Sequence, residues 1–137
     1  MTAEVRARQA APADIEGIAQ VFVAADLCKP EGLQAKVRQC LERSPETCLV
    51  ALDGDDRIGA ALSVFNGFHV FLSHIAVVAH RRRTGAGKAL HDELVERARQ
   101  LGAAGIIADS RLTATGFFYE LGYRVPGAVF LIRGLKQ

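Results

Sequence analysis

The sequence predicts an α/β fold of the mixed (α+β) kind, with one mostly antiparallel central sheet and helices on its faces. Three observations point there. Apolar runs joined by turn residues predict a meander of strands, a strand-helix-strand run follows it, and the 137 residues are 50% hydrophobic. That length supports one compact core and is short for two, so residues 1–137 are expected to form a single domain. Folding at this size removes about 70% of the unfolded chain's surface from water, without disulfide staples or a structural metal. Cys28, Cys40 and Cys48 are odd in number and lack C-x-x-C spacing, so reduced thiols and no metal site are expected. A net charge of +2 argues against a dedicated nucleic-acid binder. The opening MTAEVRARQAAPADIEG carries charges where a secretory signal needs an apolar run, which points to a cytoplasmic protein.

Val5 to Gln9 alternates, as an opening strand does. Ala-Pro-Ala-Asp at 11–14 marks a helix start, with Pro12 in the first turn and Asp14 facing the positive end of a helix that runs to about Ala25. Leu33, Val37, Cys40 and Leu41 recur at helical spacing opposite Lys36, Arg38 and Glu42, giving a second amphipathic helix. Residues 47–52 and 57–65 are apolar runs joined by Asp-Gly-Asp-Asp, and residues 68–78 extend them into the meander. Asn66-Gly67 predicts a type I′ turn between the last two strands. That turn also disposes of a false membrane span. Residues 58–80 contain no formal charge and are long enough to cross a bilayer, but Asn66, Gly67, His69, Ser73 and His74 would be costly on a lipid-facing helix.

Leu90, Leu94, Ala98 and Leu101 form one stripe of a third helix over residues 89–101, ended by Gly102 and Gly105. Residues 106–108 then read as a buried strand, 114–121 as a short aromatic helix closed by Gly122, and 128–133 as a last strand.

The segment VVAHRRRTGAGKAL, residues 77–90, places a basic, glycine-bearing turn between a strand and that third helix. The first N–H groups of a helix lack intrahelical partners and carry its positive dipole end, so they receive phosphate oxygens. Gly85 and Gly87 let the backbone approach a ligand, and Arg82, Arg83 and Lys88 add charge. A phosphorylated cofactor is the expected ligand. The dinucleotide fingerprint fails, because Leu90 stands where a third small residue is needed; a Walker loop fails at Arg82 and Ala89.

Here the chain resembles the GCN5-related N-acetyltransferase (GNAT) family. The family motif Q/R-x-x-G-x-G/A, following a strand and opening a helix, is matched by Arg82-Arg83-Thr84-Gly85-Ala86-Gly87. VRARQAAPADIEGI is similar to the family's first strand and helix, TCLVALDGDDRIGAAL to its second and third strands, and ATGFFYELGYR to its late helix and following strand. The resemblance implies about six or seven strands and about four helices, with acetyl-CoA as cosubstrate. Backbone amides of roughly residues 83–88, Lys88 included, would bind the CoA pyrophosphate, and the pantetheine arm would run along Ile75, Ala76 and Val77 where the fourth and fifth strands splay. An amide of that strand end would stabilise the oxyanion. The acetyl group would pass directly to a primary amine of a small molecule or peptide, with no cysteine relay. Nucleic-acid contact through Arg81 to Arg83 rests on a local charge run alone, and such runs usually bind small anions or water. Similar proteins are often homodimers, and a late strand could pair across such an interface.

The proton-transfer groups depart from the family pattern. The position of the base on the fourth strand is Phe71; His69 and Ser73 share its face in a regular strand, and His74 reaches that face only if a β-bulge reverses the parity. His80 falls in the polar turn and His91 on the solvated side of the third helix. The position of the general acid is Phe118, with Tyr119 one residue late, a rotation of about 100° on a helix. Tyr119 is the candidate acid, while Phe117 reads as core. The alternative to an enzyme is a non-catalytic CoA-binding or sensory module of the same fold. A short loop between Leu27 and Leu33 suggests an open acceptor cleft.

Overall fold

In the computed structural model, residues 5–110 and 114–135 are described. They fall in two compact units, Met1–Ile107 and Ala108–Gln137. The first unit contains β1 (Val5–Gln9), α1 (Ile15–Ala24), α2 (Leu33–Arg43), β2 (Cys48–Asp53), β3 (Asp56–Phe65), β4 (Val70–Val77) and α3 (Ala86–Gln100), and its last two residues begin β5 (Ile106–Ala108). The sheet has five strands in the order β1-β2-β3-β4-β5, with β1 through β4 antiparallel. The mixed α/β class and four helices match the sequence reading; the strand count among the described residues is lower than six or seven.

One face of the sheet receives α1 and α2, whose Ile18, Phe22, Val37 and Leu41 pack on Cys48, Val50, Ala60 and Leu62. The other face receives α3, with Leu90 and Leu94 fully buried. The reason α3 approaches so closely is Gly59. A Cβ there would stand 3.0 Å from the Ala76 carbonyl oxygen and 3.3 Å from Leu90 Cδ1. Between the 3-10 turn that precedes β2 and strand β3, Thr47 Oγ1 donates to the Ser63 carbonyl at 2.7 Å and Ser63 Oγ to the Thr47 carbonyl at 2.6 Å, so both buried hydroxyls are satisfied.

Asp14, read from the sequence as a helix-dipole partner, is completely buried and does more. Its carboxylate accepts two bonds from Arg8 (2.7 and 3.1 Å), one from Arg57 Nε (2.6 Å) and one from the Ala11 N–H (2.8 Å). It therefore ties β1, the 3-10 turn Pro12–Asp14 and β3 at one point. Burial alone would raise this carboxyl, but the hydrogen bonds from Arg8, Ala11 and Arg57 outweigh it and hold the group well below the usual carboxylate range.

The charge-free stretch 58–80 folds largely as the β3–β4 hairpin, and no helix among the described residues is long and apolar enough to cross a membrane. The turn is not type I′. That type needs positive φ at both central residues, and Asn66 is not among the described non-glycine residues that have it, which are Asp26 and Arg83. Instead Asn66 Oδ1 accepts from the N–H groups of Phe68 and His69, each at 2.9 Å, and the Asn66 N–H donates to the His69 carbonyl, closing a four-residue loop.

In the second unit, α4 (Thr115–Glu120) ends at Gly122 with φ +94°, where the Tyr123 N–H bonds the Phe118 carbonyl and the Gly122 N–H that of Tyr119. This is a Schellman stop, as the glycine predicted. Phe118, rather than Phe117, is the buried ring, set edge-on between Phe117 and Tyr123. Residues 128–133 form no strand. Val129, Phe130, Leu131 and Ile132 have the right composition, but strand propensity alone does not build a ladder, and all four side chains are exposed.

Candidate functional site

The site begins with the end of β4. Pairing of β3 with β4 matches Ala60 to Ala76 and Gly59 to Val77, and the Val78 N–H donates to the Ile58 carbonyl at 2.9 Å. In an antiparallel ladder hydrogen-bonded pairs alternate, so the main chain of Ala76 faces β3 while that of Ile75 and Val77 points away from it. Of the three residues expected along the pantetheine, Ile75 and Val77 thus turn their backbone to the side of β4 away from β3, and Ala76 instead packs its side chain on the α1 core. Strand β5 has three residues against eight in β4. Its side of the ladder starts low, with Ala104 N–H on the Phe68 carbonyl (2.8 Å) and Val70 N–H on the Gly105 carbonyl (3.0 Å). Three residues advance only about 10 Å, so the 75–77 edge extends past β5 itself.

The turn that follows is shaped for an anion. A single 3-10 turn, Ala79–Arg81, leads to Arg83 at φ +71° and Gly85 at φ +88°, and α3 starts at Ala86. Left-handed residues alternating with ordinary ones aim successive N–H groups inward, which makes an anion-binding concavity. The first bond closing the helix is Ala89 N–H to Gly85 O at 2.8 Å, so the N–H groups of Ala86, Gly87 and Lys88 precede the intrahelical ladder. The helix begins three residues before the expected Ala89, which brings Lys88 into its first turn, bonded to Asp92 at 2.6 Å. A Cβ at Gly85 would meet nothing within 4 Å. Its glycine is there for the positive φ. Thr84 Oγ1 donates to the Arg81 carbonyl (2.7 Å), and Arg82 Nε to the Val77 carbonyl (3.3 Å).

On β4 the register slips between Leu62 and Ser63, matching them to His74 and Leu72, so Ser73 is an extra residue. This bulge reverses the parity. His74 lies on the α1 face with Phe71, its ring 5.8 Å from that of Phe22 and its Nδ1 2.8 Å from Ser73 Oγ. His69 ends the hairpin loop, and His80 is exposed. His91, expected in solvent, is buried on α3, where desolvation lowers its pKa.

Tyr119 lies on α4 in the second unit and is exposed, whereas burial pushes the Tyr123 hydroxyl up to about 12. Cys48 is also removed from chemistry: its thiol is pushed up to about 11 by burial. A cleft of about 400 Å³ opens on the α1 side, between Gln20, Arg57, Val78 and Arg81; none of its lining comes from the loop between Leu27 and Leu33. What the sequence missed is Arg81, which is bonded to the carboxylates of Asp53 and, at 3.3 Å, Asp56.

No curated protein matches the chain in sequence. Among solved structures, Ard1 from Thermoplasma volcanium superposes with a TM-score of 0.80 at 20% identity, covering 90% of this chain and 84% of that one. The aminoglycoside N-acetyltransferase AAC(6')-Iy, solved with CoA, gives 0.80 at 18%, covering 99% and 98%. A ribosomal-protein-alanine N-acetyltransferase from Brucella melitensis biovar Abortus 2308 gives 0.76 at 16%, covering 96% and 99%. At such identities these likenesses establish the fold. The acetyltransferase (GNAT) family profile matches residues 16–123, which run from α1 through the glycine turn to the end of the α4 stop, and the chain belongs to that family.

Proposed function

We propose that this chain is an acetyl-CoA-dependent N-acetyltransferase of the cytoplasm, passing the acetyl group directly to a primary amine of a small molecule or peptide. The observation that carries the reading is the turn itself: left-handed Arg83 and Gly85 ahead of the first N–H groups of α3, next to the outward main chain of Val77. The amides of Arg83, Thr84, Gly85, Ala86, Gly87 and Lys88 would hold the pyrophosphate, with Arg82 beside them, and Ile75 and Val77 would pair with the pantetheine amides. Bound acetyl-CoA would supply an activated acyl carbon and a thiolate leaving group. The Val77 N–H would donate to the oxygen that becomes negative as the amine adds. Tyr119 would give the departing sulfur its proton, being the exposed one of the two tyrosines. The family match includes residues of both units, which supports reading residues 1–137 as one transferase domain.

The test is thermal unfolding with acetyl-CoA, CoA, ATP and NADH. A ligand at about 100 times its Kd adds about 2.7 kcal/mol, and only the first two are expected to raise Tm. Equal response to ATP, or none to CoA, rejects the reading. Tyr119→Phe is then expected to lower kcat about 100-fold with the KM for acetyl-CoA unchanged. Burial of Phe118 at the family's acid position favours the second reading, a non-catalytic CoA-binding module. Saturable CoA binding without acceptor-dependent CoA release across a broad amine panel selects it.

A further inference from the structure

We propose that Arg81 is a positioning residue that clamps the pyrophosphate turn to the tip of the β2–β3 hairpin through Asp53. The inference rests on the CoA reading of that turn, but its physical core does not.

Arg81 is held at three places. Its guanidinium bonds the Asp53 carboxylate and, at 3.3 Å, Asp56. Its N–H donates to the Val78 carbonyl at 2.9 Å, and its own carbonyl accepts the Thr84 hydroxyl at 2.7 Å. The hairpin end of this clamp is firm. Asp53 and Asp56 are paired across a two-residue turn in which Gly54 takes φ +61°, and the Asp53 side chain is only 8% exposed. An ion pair that is partly buried and joined to a stiff element transmits position better than a solvated one.

The turn needs such a hold because of Arg83. A residue with a Cβ at φ +71° is strained relative to ordinary backbone, and persists where its surroundings over-determine it. Two residues upstream stands Arg81, and two downstream Gly85 caps the start of α3. Releasing the upstream anchor lets Arg83 relax, which turns the amides of the nest away from a common centre. A direct role of Arg81 as a phosphate ligand makes the opposite prediction for Asp53: freeing the guanidinium from its carboxylate would leave binding unchanged or tighten it.

The experiment uses Asp53→Asn, Arg81→Gln and the double variant Asp53→Arg with Arg81→Asp. Calorimetric Kd for CoA and amide hydrogen exchange of the ligand-free protein are measured on each. Both single variants are expected to bind CoA roughly ten-fold more weakly. Exchange at residues 83–88 should rise while core amides such as Ala60 and Leu62 keep their protection, and the double variant should recover most of both effects. Asp53→Asn binding CoA as tightly as the unaltered protein overturns the clamp, as does unchanged exchange in the turn. Exchange rising evenly through β2 and β3 also overturns it, since the pair then only stabilises the sheet. If the unaltered protein binds no CoA, the functional reading fails by itself and the exchange data still decide whether Arg81 orders the turn.

Discussion

Replacing Asp14 with alanine is expected to cost about 3 kcal/mol of unfolding free energy, a large share of the 5–15 typical of a domain. The carboxylate is wholly inaccessible, and its removal strands the Ala11 N–H and separates Arg8 from Arg57. The two arginine side chains are 41% and 34% exposed, so water recovers part of their loss, which keeps the figure at the lower end for a broken buried pair. The same network sets an acid limit. Because the folded-state pKa of Asp14 is depressed, its contribution is complete above the ordinary carboxylate range and lost as pH falls from about 4 through the folded value. Urea unfolding at pH 7 and pH 3 should show the unaltered protein losing more than Asp14→Asn. Equal losses would place the acid sensitivity elsewhere.

Gly59→Val is expected to cost about 3 kcal/mol and to weaken CoA binding with it. The first added carbon alone would lie 3.0 Å from a backbone oxygen, 3.2 Å from Val77 Cγ2 and 3.3 Å from Leu90 Cδ1. Backbone cannot swing aside as a surface side chain does. Either α3 lifts from the sheet, moving the turn amides at its start, or β4 shifts, moving the strand end that presents Val77. Gly59→Ala should show the same signs at smaller size. A valine variant that is destabilised yet binds CoA normally would separate the position of β4 from cofactor affinity.

Much of this was legible because periodicity reports burial. The stripe of Leu90, Leu94 and Ala98 located α3, and apolar runs separated by turn residues located the meander. Local backbone exceptions were not legible. The Ser73 bulge breaks alternation by one residue, and only the ladder reveals that His74 has changed sides. His91 stands next to Leu90 and three before Leu94, at the margin of the stripe, where one sequence does not say how wide the covered face is. Likewise Asp14 read only as a helix-dipole partner and Arg81 as part of a solvated charge run, since Arg57 stands 43 residues from the first and Asp53 28 from the second. Residues 128–133 erred the other way: apolar β-branched composition announced a strand, but composition does not fix which strand, if any, it lies beside.

The bond from Arg82 to the Val77 carbonyl has a bearing on solubility. An uncovered strand end is a template on which stray chains can stack edge to edge, and cells commonly blunt such templates with a charged residue. Arg82 is such a guard, occupying the very acceptor that an incoming strand would use, yet holding it through one exposed contact that a better-fitting guest can displace.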